Sequence, residues 1–497
     1  MSKNRMLDIA AVLLVLVTSV HLRGDLQYRT AFLDETINMY DGWRFLAGYG
    51  TEAITFHMGW FPFSYVPLGL AGWWGGVELA RAVNVLWGLL TIVLVLLTAR
   101  GLYGRLAGYT AAGIFAVYGP AIDIHTLATY DSLSVLFAGV ALFLWLKAWQ
   151  RSSTLLGAAG TLAMTLSVLT KYTAGLLAAP VALYILAVGL RRSFLTDDST
   201  GDTLLIHPRL DRIRNVALVL SPFLIIVVFL AVFRNQLAQL LQLQILTKRI
   251  TEPNVEWAIV SAFAGYLGVP ALLALPALVS PKHRIATVGL MLVAMSMVPY
   301  HLLNKDNTTL FKHSCYMLLG LAPLAAGGVV AIGPWLQDRL GLRPREDLAV
   351  RCVLGLMAIT ILGILGQQIL PGLRSYWPDT TQTMAYLRTQ IEEGDSVLME
   401  GGWVGRYYLI QKGEPGHRPA EVVETWHFAD EVGFGTEAYE RAIVAQRFDW
   451  IILDDQLTPE LNDRLRSLIP GRYQLVAVFP ARVYGYQGQI EIFKAVL

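Results

Sequence analysis

Residues 79–124, "LARAVNVLWGLLTIVLVLLTARGLYGRLAGYTAAGIFAVYGPAIDI", decide the fold class. Two apolar runs, 79–99 and 106–124, flank a short turn carrying Arg100 and Arg105. A helix needs roughly 20 apolar residues to cross ~30 Å of hydrocarbon. The pair reads as two membrane spans joined on a basic, cytoplasmic side, where Lys and Arg concentrate. Similar runs lie at 7–22, 132–149, 154–170, 174–190, 216–233, 257–279, 285–303, 314–332 and 350–370. Together they make about eleven spans. The first follows Lys3 and Arg5 like a signal peptide, but Arg23, Gly24 and Asp25 supply no small-residue cleavage site, so it reads as an uncleaved span.

Composition agrees. Of 497 residues, 55% are hydrophobic and 15% charged, and mean hydropathy is +0.50. A soluble domain carries about 25% charged residues. A soluble enzyme, a disordered chain and a fibrous protein are excluded. A net charge of +2 gives no support for nucleic-acid binding. The 13 Trp and 21 Tyr suit interfacial belts against membrane lipids. Cys315 and Cys352 lie near or inside apolar runs and form neither a secreted disulfide framework nor a zinc motif.

With the N-terminus cytoplasmic, inner loops hold Arg100, Arg105, Arg151, Arg191, Arg192, Arg209, Arg212, Arg214, Lys282, Arg284, Arg339, Arg343, Arg345 and Arg351. An odd span count then places the tail outside a cytoplasmic (inner) membrane. The expected fold is mainly α: a polytopic helical membrane domain, 1–370, followed by a small extracytoplasmic α/β domain, 371–497. In that tail, "SVLME", "RYYLI", "DWIILD", "YQLVAVF" and "IEIFKAV" read as strands, and 380–391, 436–446 and 459–468 as helices. No GxGxxG or P-loop occurs, so no nucleotide is assigned.

The first outer loop, 23–78, carries "FLDETINMYDGWRFLAGYG" from Phe32. At helical spacing Asp34, Glu35, Asn38 and Asp41 share one arc, and Phe32, Met39, Tyr40, Trp43 and Leu46 the other. This predicts an amphipathic helix in the outer interface. Helix capping by Asp34 and Glu35 is the plainer explanation of that acidity. The Gly- and Pro-rich "FHMGWFPFSYVPLGLAGWWGG" after it reads as an irregular or re-entrant segment. Asp131 falls at the outer mouth of the fourth span; Lys171, Lys248, Arg249, Lys312, His313 and Tyr316 fall at other outer ends. Bases on the outer side run against the topology rule, which suggests an anionic ligand there; lone snorkelling is the alternative for Lys171 and Lys312.

These features resemble the GT-C membrane glycosyltransferases, in the branch of protein O-mannosyltransferases and the lipid A aminoarabinose transferase. The resemblance rests on Asp34-Glu35 after the first span, the block containing Arg81, Tyr130-Asp131-Ser132, the "TKYTAG" turn, and the Tyr316 to Pro323 block before an outer tail. The chain departs from the family where "HMGWFPF" replaces a His-Pro-Pro or Lys-Pro-Pro element and "KHSCY" replaces a block with Arg before the aromatic.

The resemblance implies inverting transfer of a sugar from a polyprenyl-phosphate donor to a lipid, polysaccharide or protein acceptor. A phosphate is already a good leaving group, so the chemistry needs one base and cations for the departing phosphate. Asp34 is the expected base, with Glu35 as a neighbour raising its pKa or as a second ligand. Lys171, Lys248, Arg249 and Lys312 are the candidate phosphate clamps, with Tyr316 as a hydrogen-bond donor. Asp41, Arg81, Asp131 and His313 are acceptor-side or supporting candidates, and Arg81 can pair with an acid of the first loop. No cofactor is required; a divalent metal stays open, because some GT-C enzymes use one while His57, His125 and His313 are scattered. Two rivals remain: a transporter, which would carry ionisable groups at mid-membrane, and a non-catalytic scaffold whose tail binds a partner.

Overall fold

The computed structural model describes residues 3–27, 29–50, 64–151, 153–181, 231, 234, 255–279, 284–305, 309–341, 343–375, 377–410, 421–425, 436–456, 458–483 and 486–496. Lys248, Arg249, most of the span expected at 174–190 and nearly all of that expected at 216–233 lie outside the described residues.

Seven described helices are long and apolar enough to cross a membrane: Met6–Arg23, Val66–Tyr103, Tyr130–Arg151, Glu256–Val279, Arg284–Asn304, Leu310–Gln337 and Arg345–Arg374. The protein is a multi-pass membrane protein with the expected fold class, helical with a small sheet towards the C-terminus. Shorter apolar helices, Leu155–Thr170 and Tyr172–Val181, join them.

Polar contacts define two ends of the bundle. Near the start of the first helix, Asp8 pairs with Arg100 at 3.4 Å and Arg105 at 3.8 Å. At its other end Arg23 donates to the Ala116 carbonyl at 2.9 Å and to Ser19 Oγ at 2.7 Å. The whole helix, 21 residues, rises about 30 Å, the thickness of one hydrocarbon core, and Asp8 and Arg23 lie about 22 Å apart along it. The Leu310–Leu340 helix is the buried centre, with Cys315, Leu318, Ala322 and Leu324 all inaccessible.

Several local expectations are corrected. The stretch read as irregular is helical from Val66, within Val66–Tyr103; its break is confined to Gly75 and Gly76, where Gly76 takes φ 67°. The span expected at 106–124 is two helices, Arg105–Val117 and Gly119–Ile124, parted at an extended Tyr118 that precedes the second helix, whose first turn holds Pro120. That expected at 285–303 is present as Arg284–Asn304, with a local turn at Ser296–Met297 between Arg284–Met295 and Val298–Asn304. The Leu33–Leu46 helix does not present an open polar face: residues 35–42 are all buried against the rest of the protein. It crosses the Val66–Tyr103 helix so closely that a Cβ on Gly69 would stand 2.3 Å from the Gly42 carbonyl carbon. Only two glycines allow that approach.

The C-terminal part carries β1 (Ser396–Met399), β2 (Glu421–Glu424), β3 (Trp450–Leu453), β4 (Tyr473–Val483) and β5 (Tyr486–Ala495), in sheet order β2-β1-β3-β5-β4. β1 pairs in parallel with β2 and β3, and β5 is antiparallel to β3 and β4. β2 had no counterpart in the sequence reading. "RYYLI" is not a strand: it ends the helix Gly402–Ile410. Short apolar runs do not distinguish the two states, and here helical spacing sets Trp403 and Tyr407 on a common buried face.

Candidate active site

Four charged side chains from four elements meet at the Arg23 end of the bundle. Asp34 sits in the first turn of the Leu33–Leu46 helix. Lys312 sits in the first turn of the Leu310–Leu340 helix. Lys312 Nζ donates to the Asp34 carboxylate and lies 3.9 Å from Asp131. Lys171 Nζ donates to the other oxygen of Asp131. The result is an alternating row, Asp34–Lys312–Asp131–Lys171. Asp131 is 1% exposed and Asp34 23%, so Asp34 stands at the mouth and Asp131 in the interior. Lys312 also rests over the Phe32 ring at 5.4 Å and Lys171 over Tyr130 at 5.6 Å.

Local sequence explains each placement. Lys171 ends the Thr154–Thr170 helix, where its extended backbone (φ −145°, ψ 113°) turns the chain. That helix is tied to Tyr130–Arg151 by reciprocal bonds: Ser134 Oγ to the Ser167 carbonyl at 2.9 Å and Ser167 Oγ to the Ser134 carbonyl at 2.8 Å. The turn before Asp131 is held by Asn84, which donates to the carbonyls of Leu127 and of Thr129, the latter at 3.0 Å. Thr129 Oγ1 then donates to Asp131 at 3.2 Å.

Glu35 departs from its expected role. It turns away from the row and forms a fully buried pair with Arg81, whose Nε and a terminal nitrogen each reach a carboxylate oxygen at 2.8 Å. The amides of Phe32 at 2.8 Å and Ala128 at 2.7 Å donate to the same carboxylate. Each oxygen thus accepts two hydrogen bonds, which suits a structural counter-ion. Arg81 further donates to the carbonyls of Leu26 at 2.7 Å, Arg29 at 3.1 Å and Thr30 at 3.3 Å. Arg81 and Glu35 shape the backbone leading into Asp34.

The other candidates are spread around this row. His313 follows Lys312 and its Nδ1 is 2.9 Å from Nε2 of buried His301. The sequence reading missed His301; "VPYHLLN" holds no motif that would have marked it. Tyr316 is buried one turn on, edge-on to His313 at 6.4 Å. Asp41 lies away from the row, and burial together with its charge pushes the Tyr65 hydroxyl up to about 12. Among the described residues no group of three or more His, Cys, Asp or Glu side chains could hold a metal ion.

The family of dolichyl-phosphate-mannose-protein mannosyltransferases matches residues 76–206. ArnT from Cupriavidus metallidurans, solved with bound undecaprenyl phosphate, superposes with a TM-score of 0.57 at 14% identity, covering 98% of this chain and 97% of that one. The chain has the GT-C membrane glycosyltransferase fold. Two further GT-C structures agree. The oligosaccharyltransferase AglB from Archaeoglobus fulgidus, in complex with an inhibitory peptide and a dolichol-phosphate, gives a TM-score of 0.60 at 12% identity over 98% of this chain and 74% of its own. The mycobacterial arabinofuranosyltransferase AftD gives 0.53 at 15% identity over 99% of this chain and 42% of its own. No curated protein matches the chain in sequence.

Proposed function

We propose that this GT-C chain transfers a sugar from a polyprenyl-phosphate donor to an acceptor, with inversion and with Asp34 as general base. The observation that carries the reading is the row Asp34–Lys312–Asp131–Lys171 at one end of the bundle. Two carboxylates and two ammonium groups give the row no net charge. A donor phosphodiester adds one negative charge and competes with Asp34 for Lys312. Its arrival frees the Asp34 carboxylate at the moment a base is needed. The acceptor hydroxyl then loses its proton to Asp34 while its oxygen bonds to the anomeric carbon. The bond from that carbon to the phosphate oxygen breaks, and the electron pair leaves on the phosphate, held by Lys312 and Lys171. Asp131, bonded to Lys171, keeps both lysines charged and oriented in the low-dielectric interior. Attack on the face opposite the leaving phosphate inverts the anomeric configuration.

The orientation that fits is a cytoplasmic membrane with the Asp34 end and the C-terminal sheet outside. Arg100, Arg105, Arg151, Arg284, Arg339, Arg343, Arg345 and Arg351 all fall at the opposite helix ends. The acceptor is a lipid, polysaccharide or protein of the envelope. Mass spectrometry of lipid co-purifying with the protein tests the donor class and names the sugar together. A preparation that neither carries nor binds a polyprenyl phosphate would end this reading.

A further inference from the structure

The backbone that delivers Asp34 is gripped from two sides. Carbonyls of Leu26, Arg29 and Thr30 accept from Arg81, which belongs to the membrane bundle. Several other polar groups of the same stretch are met by the C-terminal part. Ala31 N donates to Tyr408 Oη at 2.8 Å. Thr30 Oγ1 accepts from Thr380 N at 3.0 Å and from Thr380 Oγ1 at 3.1 Å. Arg29 donates to the Trp377 carbonyl. Rings complete the grip: Phe32 meets Trp377 edge-on at 5.4 Å, and Tyr40 meets Trp403 at 6.0 Å.

We propose that Tyr408 and Thr380 are positioning residues for Asp34, so that the C-terminal part is a working half of the active site. The proposal rests on the reading of Asp34 as the base. Ala31 lies three residues before Asp34 and just outside the helix, where the chain has no intrahelical partner for its amide. Without the Tyr408 oxygen, this amide is buried and unmet, and the first helical turn is free to rotate about the Arg81 anchor. Burial pushes the Tyr408 hydroxyl up to about 12, so it stays a neutral phenol across the working pH range. Asp34 must meet both Lys312 and an acceptor hydroxyl, and reacting groups tolerate displacements well under 1 Å. Anchoring on Tyr408 of the Gly402–Ile410 helix and on Thr380 restrains the segment better than the nine residues between the two helices could alone.

The test uses the full-length protein in nanodiscs, with Tyr408→Phe and Thr30→Val as loss variants and Thr30→Ser as the conservative rescue. Amide exchange across residues 29–36 and steady-state transfer are measured together. Tyr408→Phe and Thr30→Val should speed exchange there at least tenfold and lower kcat roughly tenfold to a hundredfold. Donor KM should stay within about twofold, because the lysines are untouched, and Thr30→Ser should restore both values. Unchanged exchange overturns the proposal, and so does faster exchange with kcat kept. An equal change in kcat and thermal stability with unaltered exchange marks an ordinary packing defect and also overturns it. Absence of transfer by the unsubstituted protein defeats the glycosyltransfer reading instead, while the exchange result still decides the anchoring.

Discussion

Lys312 is shared between two carboxylates: it donates to Asp34 at the mouth of the site and stands 3.9 Å from Asp131 behind it. One cation thereby links the exposed acid to the buried pair Asp131–Lys171. Removing a member of this row changes the charge felt by all the others, so the predictions differ in sign and size from residue to residue.

Asp34→Asn keeps the shape and removes the proposed base. Transfer should fall by about 10²–10⁴. Binding of a polyprenyl phosphate should hold or tighten, since Lys312 loses a competing carboxylate. Turnover and lipid binding measured on one preparation check both halves; near-normal turnover removes Asp34 from the mechanism.

The two lysines should act on the donor. Lys171→Ala or Lys312→Ala each deletes a charge-assisted hydrogen bond, a loss of about 1.5–3 kcal/mol, which corresponds to roughly 10- to 100-fold in donor KM. Acceptor KM should move much less. Lys171→Ala also takes from buried Asp131 its hydrogen-bonded cation and leaves it only the Thr129 hydroxyl as donor, so this variant should be the less stable of the two in a thermal melt.

Arg81 and Glu35 should behave as structure. Glu35→Gln or Arg81→Met leaves a buried charge unpaired, at a cost of about 3–5 kcal/mol. The double variant should be less destabilised than the sum of the singles. A double-mutant cycle on thermal unfolding measures the coupling; additive losses would show that the two side chains do not act as a pair.

The sheet carries its own pH dependence through Glu400 and Asp454, at the ends of β1 and β3. Burial raises the Glu400 pKa, but hydrogen bonds from Asp454, Thr458 and Asn462 outweigh it and leave the carboxyl below its usual value. Its stabilising effect is present above the unfolded value of about 4.3 and is lost as pH falls through the folded value. Burial, then the Glu400 charge, raise Asp454 well above its usual value. Its contribution is complete below about 3.9 and is lost as pH rises through the folded value. Asp454→Asn should raise the melting temperature of the C-terminal part at neutral pH and flatten its decline above pH about 4. Glu400→Gln should lower it. An unchanged melting curve for Asp454→Asn would mean that this proton is not held.

Much was legible in the chain. Span lengths, the basic turns and the charge-poor composition require a helical membrane protein, because hydrocarbon admits no unpaired backbone. The residues now in the row were also legible individually, since acids and bases at helix ends are scarce enough to stand out. Less legible were the breaks: Tyr118 and Gly75–Gly76 interrupt apolar runs that hydropathy reads as smooth or wholly irregular. "RYYLI" was ambiguous until its neighbours chose helix.

Only the tertiary structure separated Asp34 from Glu35. Adjacent in sequence and alike in chemistry, they point about 100° apart on the helix. One meets Lys312 near the surface, and the other is enclosed by Arg81 and two backbone amides. Pattern and composition settle which medium a residue can occupy, because that depends on its own transfer free energy. Which partner it finds depends on residues such as Lys312, 278 positions from Asp34, whose approach no local spacing encodes.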